Sequence, residues 1–200
     1  MNSSGTRERL LDAASELFGR EGYHAVSVRD IVREADANLG AVTYHFGSKE
    51  ALYHAAIQRF AQPMVEHFAA AAAGPGSGLD RLEGIVRFAT SRNLTGPNPV
   101  LRELATDRPL PPPMVQMMQR NFAVVVGLIR EGQRDGSVRR GDPALLGLTL
   151  MANAFFFRIA GRILSDVAGI DRANPRTHAR LVDLVAGNVR RALGPDRRGR

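Results

Sequence analysis

Apolar positions along this chain recur at helical spacing and show no sustained strand-like alternation. Leu10, Ala13, Ala14, Leu17 and Phe18 fall at i, i+3, i+4, i+7 and i+8, the single stripe of an amphipathic helix. Gly22 then supplies the left-handed residue at which helices end. Val28, Ile31, Val32 and Ala35 repeat the pattern over a shorter stretch, with Ser27 as N-cap and Asp30 three residues on, close to a capping box. Ala35-Asp36-Ala37 makes a tight connection. Asn38 is predicted to cap a third short helix whose inner face carries Val42 and Phe46. Gly47-Ser48 breaks the pattern, and a long helix starts at Lys49-Glu50 and runs on through Leu52, Ala56 and Phe60.

Five alanines and a Gly-Pro-Gly-Ser-Gly segment end that helix between Ala69 and Gly78. Helical spacing returns over Leu79–Asn93 (Leu82, Ile85, Val86, Ala89). Gly96-Pro97-Asn98-Pro99 breaks it, and Val100–Asp107 is a short helix. A proline-rich connector at 109–113 leads into a helix over Met114–Gln133. Asp135-Gly136 turns the chain. Gly141-Asp142-Pro143 starts a helix expected to last to about Val167, and Pro175–Leu193 is the last. The fold class is all-α.

Composition narrows the picture. A chain of 200 residues buries roughly 70% of its unfolded surface, enough for a true core. There is no cysteine, so disulfides and thiolate metal sites are excluded, and a cytoplasmic setting is expected. The first residues are charged where a signal peptide needs an apolar stretch. The longest uncharged run, Pro143 to Phe157, has 15 residues, short of the ~20 a bilayer requires, so no membrane association is expected. No nucleophile elbow, phosphate loop or paired-histidine zinc motif is present, and the five histidines form no recognisable metal set. The chain is therefore read as a non-enzyme without metal or cofactor. The net charge of +7 invites a nucleic-acid partner, but its distribution does not. Residues 1–60 hold seven basic and eight acidic side chains, a net −1, and the remaining residues carry the excess. Part of it lies in Arg190, Arg191, Arg197, Arg198 and Arg200, which read as a solvated end or as non-specific attraction to DNA.

Two short helices joined by a three-residue turn, Val28–Glu34 and Leu39–Tyr44, have the geometry of a helix-turn-helix, whose second helix enters the major groove. Spacing alone fits a plain helical hairpin better. The residues decide between them. Ser27-Val28-Arg29-Asp30-Ile31-Val32-Arg33-Glu34-Ala35, then Gly40-Ala41-Val42-Thr43-Tyr44-His45-Phe46-Gly47-Ser48-Lys49-Glu50-Ala51-Leu52-Tyr53, resemble the TetR/AcrR family of regulators over residues 6–60, as do Ala13, Ala14, Leu17, Phe18, Gly22 and Tyr23. The turn departs from the family's glycine with Asp36, a residue that tolerates the left-handed conformation. Thr43 stands where an aromatic residue is common.

The resemblance implies a DNA-binding head over 1–50 and a helical ligand-binding and dimerising domain over 51–194, and the charge of residues 195–200 reads as a disordered basic tail. It implies a homodimer through the last two helices, a near-palindromic double-stranded operator and a small-molecule effector that releases a repressor. An activator of the same family, or a helical ligand-binding protein without sequence-specific DNA binding, are the alternatives.

Within the head, Tyr44 and Lys49 suit phosphate contacts, as do Ser27 with its helix start and His45. Gly40 permits close approach, and Asn38 stands at the helix start. Ala41 and Thr43 suit a thymine methyl or base edge. Arg29 suits guanine or stands solvated, and Leu39 is a groove contact or a cap on the core. Ile31, Phe46 and Leu52 belong to the core. With few strong base-contacting side chains, much of the specificity is expected to come from DNA shape.

Leu145, Leu148, Met151, Ala152 and Phe155 keep helical spacing, as do Leu181, Leu184, Val185 and Val189, and are expected to serve the dimer or the monomer core. The ligand candidates are Met114, Met117 and Met118, on one helix face, with Asn121 and Phe122. Phe88, Arg92, Arg102, Phe156 and Arg158 join them. Equally spaced methionines also fill ordinary cores.

Overall fold

A computed structural model describes residues 3–91, 98–160, 163–171 and 173–195. Arg92 and the end of the basic tail lie outside the described residues, as does the Arg158 side chain. The described elements are helices: α1 (Ser3–Glu21), α2 (Val28–Glu34), α3 (Ala41–Phe46), α4 (Lys49–Ala73), α5 (Gly78–Ser91), α6 (Pro99–Leu104), α7 (Pro112–Asp135), α8 (Pro143–Ile159) and α9 (Pro175–Leu193). Among them none is long and apolar enough to cross a membrane. The expected helix to Val167 is interrupted. α8 ends at Ile159 with Ala160 as its C-cap, and Ile163–Val167 form a separate, wider π-helical turn.

The chain forms two compact units, residues 1–63 with 94–118, and residues 64–93 with 119–200. On α4 the division into these units falls between Pro63 and Met64. The first half of α4 packs with the head because Leu52, Tyr53, Ala56 and Ile57 are buried among Leu10, Phe18 and Ile31, and Met114 of α7 completes the same core. Pro63, which has no N–H to continue the α4 ladder, marks the division on that helix.

In the first unit, Gly22 ends α1 at φ +88°, and its N–H donates to the Phe18 carbonyl at 3.0 Å. Arg102 of α6 donates to the Arg20 carbonyl at 2.8 Å and lies so close that a Cβ at Gly22 would stand 2.7 Å from its Nε. Arg59 pairs with Glu8 at 2.9 Å and Asp12 at 2.8 Å, tying α4 to α1.

In the second unit, α5 packs on α9 and α8, and its Leu82, Ile85 and Val86 share one core with Val125, Leu128 and Ile129 of α7, Leu146 and Leu150 of α8, and Val185 and Val189 of α9. The N-terminus of α5 is held by the turn after α7: Gly78 N–H donates to Asp135 at 2.9 Å and Leu79 N–H to Ser137 at 3.2 Å. There the backbones touch. A Cβ at Gly78 would lie 2.5 Å from the Gly132 backbone. Arg190 of α9 pairs with Asp80 and Glu83 of α5, both at 2.5 Å. Arg87 pairs with Glu83 at 2.9 Å and with Asp183 of α9 at 2.6 Å. These exposed ion pairs set the register of α9 on α5 more than they add stability.

Two glycines of α5 should therefore behave oppositely. Gly78→Ala drives a methyl into backbone that cannot yield and is expected to cost about 1–3 kcal/mol. Gly84→Ala has open space around it and should gain about 0.5–1 kcal/mol. Denaturant unfolding of the two variants measures both.

Candidate DNA-reading face

α2 begins at a complete capping box. Ser27 Oγ accepts from Asp30 N–H at 3.2 Å, and the Asp30 carboxylate accepts from Ser27 N–H at 3.0 Å and from its hydroxyl at 2.5 Å. Ser27 is the main cause, with Arg33 at 2.7 Å assisting, of an Asp30 pKa below the ordinary carboxylate value. The Ser27 hydroxyl and amide, expected to take a phosphate, are thus committed to a carboxylate of their own helix.

The turn to α3 places Asp36 at φ +46°, the left-handed position the substitution for glycine predicts. Arg9 of α1 braces it, donating to the Ala35 carbonyl at 3.0 Å and the Asp36 carbonyl at 3.5 Å. α3 then starts later than expected. Gly40, not Asn38, is the N-cap, and no side chain caps the helix. Asn38 and Leu39 lie in the turn, where the Asn38 carbonyl accepts from Ala41 N–H at 3.0 Å.

Ala41 and Val42 point into the core, so Ala41 is packing rather than a base contact. Thr43 and Tyr44 point outward, and His45 is half-buried with its ring edge-on to Tyr44 at 4.8 Å. Gly47, at φ +81°, ends the helix, donating to the Thr43 carbonyl at 2.9 Å, and Ser48 caps α4. Neither backbone nor space demands glycine at position 40: φ is −74°, and a Cβ would meet only Asn38 Oδ1 at 3.6 Å. Lys49 Nζ stands over the Tyr23 ring, 4.2 Å from its centroid.

Two properties mark this face. Among the described residues of the first unit, the large apolar side chains left most exposed are Leu39 at 55% and Tyr44 at 79%, one on either side of α3's start. Among the head's cations, Arg9, Arg20, Arg33 and Arg59 are engaged by carbonyls or carboxylates. Arg29 is exposed, and Arg7 lies over the Phe46 ring at 5.0 Å beside Glu8. The cleft lined by Arg9, Asp12, Glu16 and Glu34 is predominantly acidic and would repel a phosphate backbone.

The expected ligand residues are divided between the two units. Met114 is fully buried in the first unit's core, with Met117 and Met118 packed against it, so the methionine stripe is core. Arg102 is spent on the end of α1. In the second unit, Phe88 stacks on His67 at 3.7 Å and Asn121 is buried. Phe122 is half-buried, and Phe156 is exposed. Thr90, which sequence reasoning passed over, buries a hydroxyl that has no partner among the described residues. Arg9 and Tyr23 were also missed. Arg9 meets the Ala35 and Asp36 carbonyls across 26 and 27 residues, a separation no local pattern reveals.

The family description "Bacterial regulatory proteins, tetR family" matches residues 10–56, the segment that builds this face. Over those residues the chain is similar to the TetR/AcrR family of regulators, and the match supports a DNA-binding regulator of transcription. It is 23% identical over 186 residues to the transcriptional regulator UidR of Escherichia coli strain K12, covering 92% of each chain. Over 62 residues identity to the transcriptional dual regulator CecR of Shigella flexneri reaches 42%, on 31% of this chain and 27% of that one. The fold matches a transcriptional regulator from Saccharomonospora viridis, solved in complex with choline, with a TM-score of 0.70 at 21% identity, over 96% of this chain and 98% of the other.

Ser27→Ala is expected to cost about 0.5–2 kcal/mol, the usual worth of an N-cap. The sign of the pH dependence follows from Asp30. Its folded pKa is lowered, so the cap contributes fully above the ordinary carboxylate pKa and fades as pH falls through the lowered value. Unfolding of wild type and variant should therefore differ at neutral pH and converge in acid, and carboxyl titration by NMR should show the Asp30 pKa rising in Ser27→Ala.

Proposed function

We propose that this regulator binds a near-palindromic operator as a homodimer, with α3 of each copy in the major groove, and represses transcription until a small-molecule effector binds. The observation that carries the DNA reading is the exposure of Leu39 and Tyr44 around a helix whose opposite side is core. In this reading Thr43 and Leu39 meet base edges. Tyr44, His45 and Lys49 take phosphates, Arg29 reaches a guanine or phosphate, and Gly40 and Asn38 allow close approach at the helix start. Ser27 contributes only by surrendering its bond to Asp30.

The dimer is supported by the second unit. Leu145 and Leu148 of α8 are 65% and 60% exposed, and Leu184 of α9 is 50% exposed. Thr149 and Asn153, on the same side of α8, spend side-chain bonds on the Leu145 and Thr149 carbonyls. Burying each leucine against a second copy contributes on the order of 1–2 kcal/mol. Leu181, Val185 and Val189 serve the core of their own unit.

The effector site belongs to the second unit in this reading, where the buried Thr90 hydroxyl, Asn121 and the His67–Phe88 stack offer polar and aromatic contacts. Choline in the Saccharomonospora viridis regulator is a precedent for a small ligand on this fold. The effector acts by binding the DNA-competent and released states unequally. The function is non-enzymatic and cytoplasmic. A second reading, activation at some promoters, is favoured by the CecR match, which is to a dual regulator.

Selection of bound fragments from random duplex DNA at fixed moderate salt should return a site with two-fold symmetry, bound tenfold or more weakly by Tyr44→Ala. Leu145→Glu with Leu148→Glu should sediment as a monomer and lose at least tenfold in affinity for that site. A wild-type protein that selects no site, or a monomer that binds it undiminished, contradicts the reading.

A further inference from the structure

The cation assigned to a DNA phosphate at the start of α4 stands on an aromatic ring that no DNA-reading role accounts for. We propose that Tyr23 is a positioning residue for DNA binding: its ring seats the Lys49 ammonium so that the charge is offered to the backbone already localised. The proposal rests on the reading of α3 and the start of α4 as the DNA-contacting face.

Three observations support it. Lys49 Nζ lies 4.2 Å from the Tyr23 ring centroid, within the range at which a ring face attracts an ammonium. A lysine otherwise loses the freedom of a four-carbon stem when it meets a phosphate, and a seat removes part of that loss before DNA arrives. The ring itself is held. Tyr23 lies 4.9 Å from Tyr53, 6.0 Å from Phe18 and edge-on to His24 at 5.0 Å, and Tyr53 meets Phe18 edge-on at 4.9 Å. Phe18 and Tyr53 are buried in the head's core. Burial first, and then the Glu103 carboxylate of α6, raise the Tyr53 phenol far above its ordinary value. The ammonium is also partly dehydrated, since burial lowers the Lys49 pKa. A phosphate then has less water to strip from it. The seat spans α1's end and α4's start, and so links the cation to the packing of the whole head.

The test uses the full chain and a duplex carrying the site selected by the wild-type protein, with Tyr23→Phe, Tyr23→Leu, Lys49→Ala and the Tyr23→Leu/Lys49→Ala pair. Circular dichroism confirms that each folds. Tyr23→Phe keeps a ring face and should bind as wild type. Tyr23→Leu should weaken binding about 5- to 20-fold, as Lys49→Ala does. Both should flatten the slope of log affinity against log salt by about 0.9 for each phosphate no longer neutralised. In the Lys49→Ala background, Tyr23→Leu should add nothing. A Tyr23→Leu loss of equal size with and without Lys49, or one that leaves the salt slope unchanged, assigns Tyr23 to packing alone and overturns the proposal. If Lys49→Ala itself changes neither affinity nor slope, the phosphate role of Lys49 fails and the proposal falls with it. A readout without DNA stands beside these. The Lys49 side-chain methylene protons should be shifted upfield by the ring in wild type and Tyr23→Phe, and their absence from shifted positions in wild type refutes the seat whatever the variants do.

Discussion

A helix of six residues does not persist in water, because too few hydrogen bonds repay the nucleation of its first turn. α3 exists because Ala41 and Val42 are buried on a core built from α1, α2 and the start of α4. That one packing interaction decides what the protein can read. It turns Thr43 and Tyr44 outward and aims the helix start away from the core. It also fixes which residues are spent on structure and which are offered to a partner.

The rest of the head protects this packing. The Ser27–Asp30 box fixes where α2 begins, and Arg9 holds the turn at Asp36 from the far side. Arg59 ties α4 to α1, and Arg102 closes the end of α1. The cost is electrostatic. Cations used as braces are not free for DNA, and residues 1–60 carry a net charge of −1. In the proposed reading the remaining charge is placed well rather than in quantity, and the residues at α3 meet DNA by fit and position as much as by attraction.

Helix order and much of the face were legible because they depend on local signals. The stripe through Leu10 and Phe18, the Ser27–Asp30 cap, the left-handed Asp36 and the Tyr44-His45-Phe46 run all act within a few residues. Asn38 shows where local signals mislead. It is a good cap by type, but burying Val42 with Ala41 places the helix two residues later and leaves Gly40 at its start. The methionines at 114, 117 and 118 show the same limit, since spacing identifies an apolar face without naming what covers it. α4 shows a related limit: it is one helix by pattern, yet its first half is buried in the head's core. Gly78 against Gly132, Arg9 against Ala35 and Lys49 over Tyr23 depend on distant segments meeting, and only the folded chain brings them together.

The central claim is that packing presents the outer side of α3 to base edges. Selecting operators from random DNA with wild type and with Thr43→Asn tests it most directly, because Thr43 is exposed and carries none of the core. The account predicts that the preferred base changes at one symmetric position in each half-site while the spacing between half-sites stays the same. An unchanged sequence preference would contradict it and place the reading of DNA elsewhere on the chain.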